Sequence, residues 1–312
     1  MQHNSSNKVT NILLLGFENL HNFEIFLFLF FLLIFCVTVC GNLLIILVVS
    51  YNRSLHSPMY FFLTQLSFLD ILLTTIIVPN LLRLMLYEGG FVSFNGCLIQ
   101  FFSFSASEAM ECFLLSVMSY DRYQAICHPL HYNSVMDLTF CIKAVVLCWV
   151  MTFAVILTLS IMMSRLDFCG PNIIDHFFCD LDPILQLSCS DTFFVKIEDM
   201  IMAGPFVICP FIMIMLSYVH IITTILKIPS VTGRQKTFST CSSHLAVVSL
   251  YYGSLISIYL FPNRNNIKKI LSLLYTVVTP LLNPMIYSLN NRDIKLGFKR
   301  IRSKMSSALQ MK

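Results

Sequence analysis

Ionisable side chains are scarce in this sequence, so those that interrupt its apolar stretches are the candidates for chemistry. Residues 118–132, Met-Ser-Tyr-Asp-Arg-Tyr-Gln-Ala-Ile-Cys-His-Pro-Leu-His-Tyr, set an acid and a base side by side, Asp121 and Arg122, where a long apolar run ends. The plain reading is an interfacial pair that stops a helix at a membrane surface. The sharper reading is a switchable ion pair, which needs a base that is always charged and rigidly forked, as Arg is and Lys is not. Asp70 and Glu111 lie inside apolar runs, where carboxylates are expensive and mark function by default. Two carboxylates brought together in a low dielectric cannot both stay ionised without a cation, and otherwise one takes up a proton. A buried hydrogen-bonded cluster is the plainer alternative. Glu108 adds a third acid and shares one helical face with Phe101, Phe104, Ser105 and Cys112, at i, i+3, i+4 and i+7 spacing. Nothing assembles into an enzyme: there is no nucleophile elbow, phosphate loop or metal-spaced His pair. His176-Phe177-Phe178-Cys179 is half of a metal site at most, and no metal ligand set is expected.

The elements that must position these residues follow from composition. With 57% hydrophobic and 12% charged residues and a mean hydropathy of +0.77, the chain lacks the polar surface of a soluble globule. Seven apolar segments, at 24–50, 58–82, 97–123, 139–163, 196–226, 238–262 and 268–289, are each long enough to cross a bilayer as a helix. They use up most of the 312 residues, leaving no room for a separate soluble domain. Of the twenty Lys and Arg, thirteen fall at one set of segment ends and seven at the other, while ten acids lie with the seven. The positive-inside bias therefore predicts an extracellular N-terminus and a cytoplasmic C-terminus, and makes nucleic-acid binding unnecessary. The predicted organisation is an extracellular tail (1–23), a seven-helix bundle (24–289) and a cytoplasmic amphipathic helix and tail (290–312). In that last part Ile294, Phe298 and Ile301 recur at helical spacing among basic residues, as in a helix lying on the membrane's inner surface.

No signal peptide is visible before the first segment, which must serve as its own insertion signal. Asn4-Ser5-Ser6 is a glycosylation sequon on the predicted outer side, whereas Asn52-Arg53-Ser54 lies inside and should stay unmodified. The 164–195 stretch carries three cysteines and five aspartates and reads as a structured lid. With Cys97, its Cys169, Cys179 and Cys189 make four outer cysteines, which allow three pairings.

Several longer words now accompany the Asp-Arg-Tyr: Leu14-Leu15-Gly16-Phe17, Pro58-Met59-Tyr60-Phe61-Phe62-Leu63, Thr237-Phe238-Ser239-Thr240-Cys241-Ser242-Ser243-His244-Leu245 and Asn283-Pro284-Met285-Ile286-Tyr287. On these the chain resembles an odorant receptor of the rhodopsin-like G-protein-coupled class, over nearly its whole length. Where that family usually has Ala, Val and Arg, this chain carries Ser119, Gln124 and Asn290. The resemblance implies an all-α membrane protein, a seven-transmembrane helix bundle with a short C-terminal amphipathic helix, at the plasma membrane. It implies disulfides Cys97–Cys179 and Cys169–Cys189. It assigns a G-protein switch to Asp121, Arg122, Tyr123, Asn283, Pro284 and Tyr287, with Arg122 held at rest by Asp121 and the inner end of helix six. It also gathers Asp70, Glu111 and Asn283 into a proton or sodium site, with no other cofactor.

By the same resemblance, the ligand pocket lies in the outer half, where Met202, Phe206, Tyr252, Leu255, Tyr259 and Thr276 face the helix-three residues. The implied partners are a small volatile odorant, a heterotrimeric stimulatory G protein and membrane lipid. A ligand of about ten heavy atoms at roughly 0.5 to 0.7 kcal/mol per atom binds at about ten to a few hundred micromolar. Glu108 stands where the family mostly has a small residue, one turn outside Glu111, with Ser105 placed to donate one hydrogen bond. It is therefore neutral and bonded within the bundle, neutral and donating to a carbonyl odorant, or ionised against a protonated amine. The alternatives are a non-olfactory receptor for a small amine or metabolite and a transporter or channel. Against the first, helix three has Phe104 where aminergic receptors carry an acid, and helix six has Tyr251-Tyr252-Gly253 in place of a Trp-x-Pro kink. Against the second, there are no paired broken helices.

Overall fold

The computed structural model describes residues 9–17, 23–87, 89–169, 171–260, 265–290 and 293–300, without the side chains of 236, 239, 240, 259, 260, 265, 266, 289 and 290. Seven helices are long and apolar enough to cross a membrane: α1 (Glu24–Tyr51), α2 (Pro58–Tyr87), α3 (Phe94–Cys127), α4 (Leu138–Ser164), α5 (Phe193–Leu226), α6 (Val231–Leu260) and α7 (Ile267–Ser288). Each satisfies its own backbone, as a segment in lipid must. Leu29, Leu33, Leu147, Met213 and Leu216 face outward, whereas Thr38, Asn42, Ser67, Asp70 and Glu111 are buried inside. That distribution reverses the polarity of a soluble bundle and suits a surround of acyl chains.

α3 runs through the middle, packed against α2, α4 and α5, while α1 and α6 flank α7. Its start is capped by Ser93, whose side chain accepts from Gly96 N–H at 3.1 Å, and Asp137 caps α4 through Phe140 N–H at 2.7 Å. α5 and α7 each contain one widened turn, at Gly204–Ile208 and Leu274–Val278. In α7 the extra residue leaves Thr279 bonding Leu274 O through both its N–H and its hydroxyl, the latter at 3.0 Å. Each widened turn lies just before a proline, Pro210 or Pro280, whose missing N–H already breaks the ladder there. A Cβ on Gly41 would lie 3.3 Å from Pro284 Cγ, so glycine lets α1 and α7 close together.

One end of the bundle carries a three-stranded sheet, ordered β2-β1-β3: β1 (Asn11–Leu14) pairs antiparallel with β2 (Gly90–Ser93) and parallel with β3 (Ile173–Ile174). The described part of the 1–23 segment is thus no free tail. Its alternation buries Ile12 and Leu14 completely, with Val9 nearly so. Gly89, with φ of +118°, makes the turn that starts β2. The 164–195 stretch folds over this end. Cys97 is bonded to Cys179 and Cys169 to Cys189, with Cα separations of 5.5 and 5.9 Å. Asn80 Nδ2 donates to Phe177 O at 3.2 Å and Cys179 N–H to Gln100 Oε1 at 3.0 Å, tying the stretch to α2 and α3. Lys269 closes the cap by donating to Gly16 O at 2.8 Å while pairing with Asp175.

At the opposite end, residues 293–300 form a helix that buries Ile294 and packs Phe298 against the bundle. Ile301, the third expected contact, lies outside the described residues, as do Asn4 and its sequon. The buried apolar residues form two clusters, one towards each end. Leu69 and Met110 belong to one and Leu73 and Phe104 to the other, so Asp70 and Glu111 sit where the two meet.

Candidate functional site

In the half nearest the sheet, α3, α4, α5, α6, α7 and the 164–195 stretch line a cavity of about 410 Å³. That is room for a small organic molecule. Phe101, Phe104, Ser105, Glu108 and Cys112 line it from α3, Met202 and Phe206 from α5 and Leu255 from α6. The helix-three stripe read from the sequence is therefore a cavity wall. Tyr252 and Thr276 are off that wall, and the neighbours Tyr251 and Tyr275 occupy the places expected for them. Tyr252 instead packs on Phe211 of α5, ring centroids 4.8 Å apart. The widened turn at Leu274–Val278 shifts the face that α7 presents, and Thr276 spends its hydroxyl on Ser272 O at 2.7 Å. The Tyr259 side chain lies outside the described residues.

Tyr251 links the cavity floor to α6: its hydroxyl donates to Glu108 O at 2.9 Å and shares a 3.1 Å hydrogen bond with the Cys112 thiol. The expected Ser105–Glu108 hydrogen bond does not form; Glu108 Oε1 is closed to water and has no partner among the described residues. Sequence reading also missed four acids on the wall, Asp180 and Asp182 from the lid and Glu198 and Asp199 from α5. Only the adjacent pair Glu198-Asp199, interrupting the start of an apolar run, signalled them. Burial raises the Asp180 carboxyl to about 6, the Leu181 N–H bond at 2.8 Å opposing and Asp182 and Asp199 adding to the rise. Burial lowers His176 in the lid to about 3, with Lys269 pushing the same way. With Cys179 in a disulfide, His176 has no metal-ligating partner in that motif, and no group of three metal-binding side chains occurs among the described residues.

Below the cavity, Asn283 Nδ2 donates to both Asp70 oxygens, at 2.9 and 3.2 Å, and Glu111 is near enough for its charge to act on Asp70. Glu111 Oε1 and Asn283 Oδ1 are buried without partners among the described residues. These orphaned oxygens beside a carboxylate fit a shared proton or a small monovalent cation.

At the far end of α3, Arg122 Nε donates to Asp121 Oδ2 at 2.9 Å, its Nη2 closes a second contact with that oxygen, and Tyr132 donates to Asp121 Oδ1 at 2.7 Å. The expected arm from Arg122 to helix six is absent among the described residues, because 231–250 contains no acid to receive it. α6 is instead joined to α5 by the Tyr218 hydroxyl and His244 Nδ1, 2.7 Å apart. Tyr123 points elsewhere, bonding His128 Nε2 at 3.0 Å, while Pro284 packs at α1 and Tyr287 is buried with its hydroxyl unpartnered among the described residues. Ser119 and Gln124 bond within α3, to Ser116 O and to the Tyr120 hydroxyl, each at 2.7 Å, and the Asn290 side chain lies outside the described residues.

The olfactory receptor family model matches residues 31–305. Human olfactory receptor 11L1 is 48% identical over 304 residues, covering 96% of this chain and 94% of that one. Rat olfactory receptor 1468 is 44% identical over 296 residues, 94% of each chain, and mouse olfactory receptor 1M1 is 45% identical over 304 residues, 96% of this chain and 97% of its own. The transporter, channel and non-olfactory alternatives give way to this agreement. A seven-helix bundle, a lidded cavity and near-complete matches to these proteins together establish that the chain belongs to the olfactory receptor family of rhodopsin-like G-protein-coupled receptors.

Proposed function

We propose that the cavity under the 164–195 lid is the odorant site and that the Asp121–Arg122 end engages a stimulatory G protein. Family membership makes the chain a multi-pass plasma-membrane receptor for odorants that signals through G proteins. The finer reading rests on one observation: eight of the residues expected to contact ligand line a single cavity of about 410 Å³. Tyr251 of α6 lines that volume and is bonded to α3, so an occupant that displaces Tyr251 acts directly on the α3–α6 contact. The sheet end is the extracellular one in this reading, supported by the basic residues gathered at the other. Asp70, Glu111 and Asn283 then form the proton or sodium site between pocket and G-protein end.

The test is cyclic-AMP production against a diverse odorant panel, with surface level measured by an N-terminal tag on unpermeabilised cells. Filling the cavity by Ala109→Phe is expected to abolish responses at unchanged surface level, and undiminished responses would remove the odorant site from this cavity. Arg122→Ala is expected to keep surface level and binding while losing cyclic AMP. A tag detected only after permeabilisation would reverse the orientation.

A further inference from the structure

We propose that the cavity selects protonated aliphatic amines, with the ammonium held by Glu108 on a wall whose other ionisable groups at neutral pH are acids. The proposal deepens the odorant-site reading and rests on it.

The cavity wall contains five carboxylates, Glu108, Asp180, Asp182, Glu198 and Asp199. Two have partners: Asp180 accepts from Leu181 N–H, and Asp182 stands 4.0 Å from Lys268 Nζ. Glu108 and Glu198 are different. Each keeps one oxygen, Oε1 of Glu108 and Oε2 of Glu198, shut away from water with no hydrogen-bond partner among the described residues. A buried carboxylate oxygen without a donor is a standing cost, and a ligand that brings donors relieves it. An ammonium brings three donors and a positive charge, so it suits an unmet hydrogen bond at Glu108 and a wall with five acidic side chains and no Lys or Arg among the described residues.

The rest of the wall argues against other cations and other odorants. Phe101, Phe104 and Phe206 supply apolar surface and ring faces, which suit an alkyl chain and attract an organic cation, whereas a metal ion needs convergent oxygens. No group of three metal-binding side chains occurs among the described residues. An alkanol can satisfy one carboxylate oxygen and leaves the charge unmet, and a fatty acid carries the same sign as the wall. The cavity therefore discriminates by charge first and by chain shape second.

The experiment compares n-alkylamines, n-alkanols and n-alkanoates of matched chain length on wild type, Glu108→Gln, Glu198→Gln and Ala109→Phe. Two readouts are used: cyclic AMP in cells at matched surface level, and thermal stabilisation of the purified receptor in lipid nanodiscs. The amine is expected to act at lower concentration than the alkanol, with the alkanoate silent. Glu108→Gln is expected to weaken the amine about ten- to a hundredfold and Glu198→Gln to weaken it less, each moving the alkanol far less. Equal amine potency on wild type and Glu108→Gln, a preference for alkanols, or no stabilisation of wild-type receptor by any amine would overturn the proposal. If alkanols act and Ala109→Phe blocks them while amines are not preferred, the amine assignment falls and the odorant site stands. Responses untouched by Ala109→Phe would remove both.

Discussion

Single residues carry this molecule's chemistry through what they leave unpaired. Asp70 takes both its side-chain hydrogen bonds from Asn283, while Glu111 Oε1 and Asn283 Oδ1 are buried beside it without partners among the described residues. In the proposed reading one shared proton or ion serves all three groups, so removing either acid removes most of the reason for the other. Asp70→Asn and Glu111→Gln are each expected to change basal signalling and its dependence on sodium, and the double variant to change it by less than the sum. Additive effects at matched surface level would make the two carboxylates independent. Both acids were legible in the sequence because an ionisable group inside an apolar run is rare enough to stand out. The choice of Tyr251 over Tyr252 as the cavity residue was not legible. Adjacent helical residues differ by about 100° in direction, and only the packing of Tyr252 on Phe211 decides which of two identical side chains turns inward.

Elements divide by the same test. The seven spans follow from apolar runs of about twenty residues, with the largest shifts at the end of α2, Tyr87 against an expected 82, and the start of α6, Val231 against an expected 238. β1 left no local signal: its four residues become a strand because Gly90–Ser93 and Ile173–Ile174, distant in sequence, supply both its edges. The widened turns at Gly204–Ile208 and Leu274–Val278 were equally silent, since a lone proline is compatible with several helix distortions. The lid these strands build holds two titrating groups that work in opposite directions. Asp180, raised from 3.8 to about 6, stays protonated in the folded lid where a free carboxyl has ionised, so its contribution is full below about pH 4 and is lost as pH rises through 6. His176, lowered from 6.5 to about 3, stays neutral where a free imidazole is protonated, so its contribution is present above 6.5 and lost as pH falls towards 3. In purified receptor, His176→Phe is expected to melt at lower temperature as pH rises from about 5 to 7, and Asp180→Asn at higher temperature. Parallel pH slopes for the two variants would show that neither group titrates with the lid.

Across the whole molecule, two apolar clusters meet at a polar joint, and the far end is held by few bonds. Arg122 is occupied by Asp121, which Tyr132 also secures, so α3 and the single helical turn Tyr132–Val135 form one closed unit. No ion pair among the described residues joins α6 to α3, and the Tyr218 hydroxyl of α5, 2.7 Å from His244 Nδ1 and donating to Cys241 O at 3.4 Å, is left to bind α5 to α6 at this depth. Both side chains are buried, with rings stacked 5.8 Å apart, so the bond is protected from competing water. With the closed form as the resting receptor, this bond is part of what an odorant must overcome from about two helical turns away along α6. Tyr218→Phe keeps the ring packing and deletes only the hydroxyl, costing the closed form about 1 kcal/mol, which multiplies the open fraction roughly fivefold. Basal cyclic AMP should rise accordingly, and the odorant concentration for half response should fall, because the same ligand energy now works against a smaller gap. His244→Phe is expected to act in the same direction, with little further effect when combined with Tyr218→Phe. Basal signalling that falls or stays level in Tyr218→Phe at matched surface level would mean that the bond belongs equally to both states and does not hold the receptor closed.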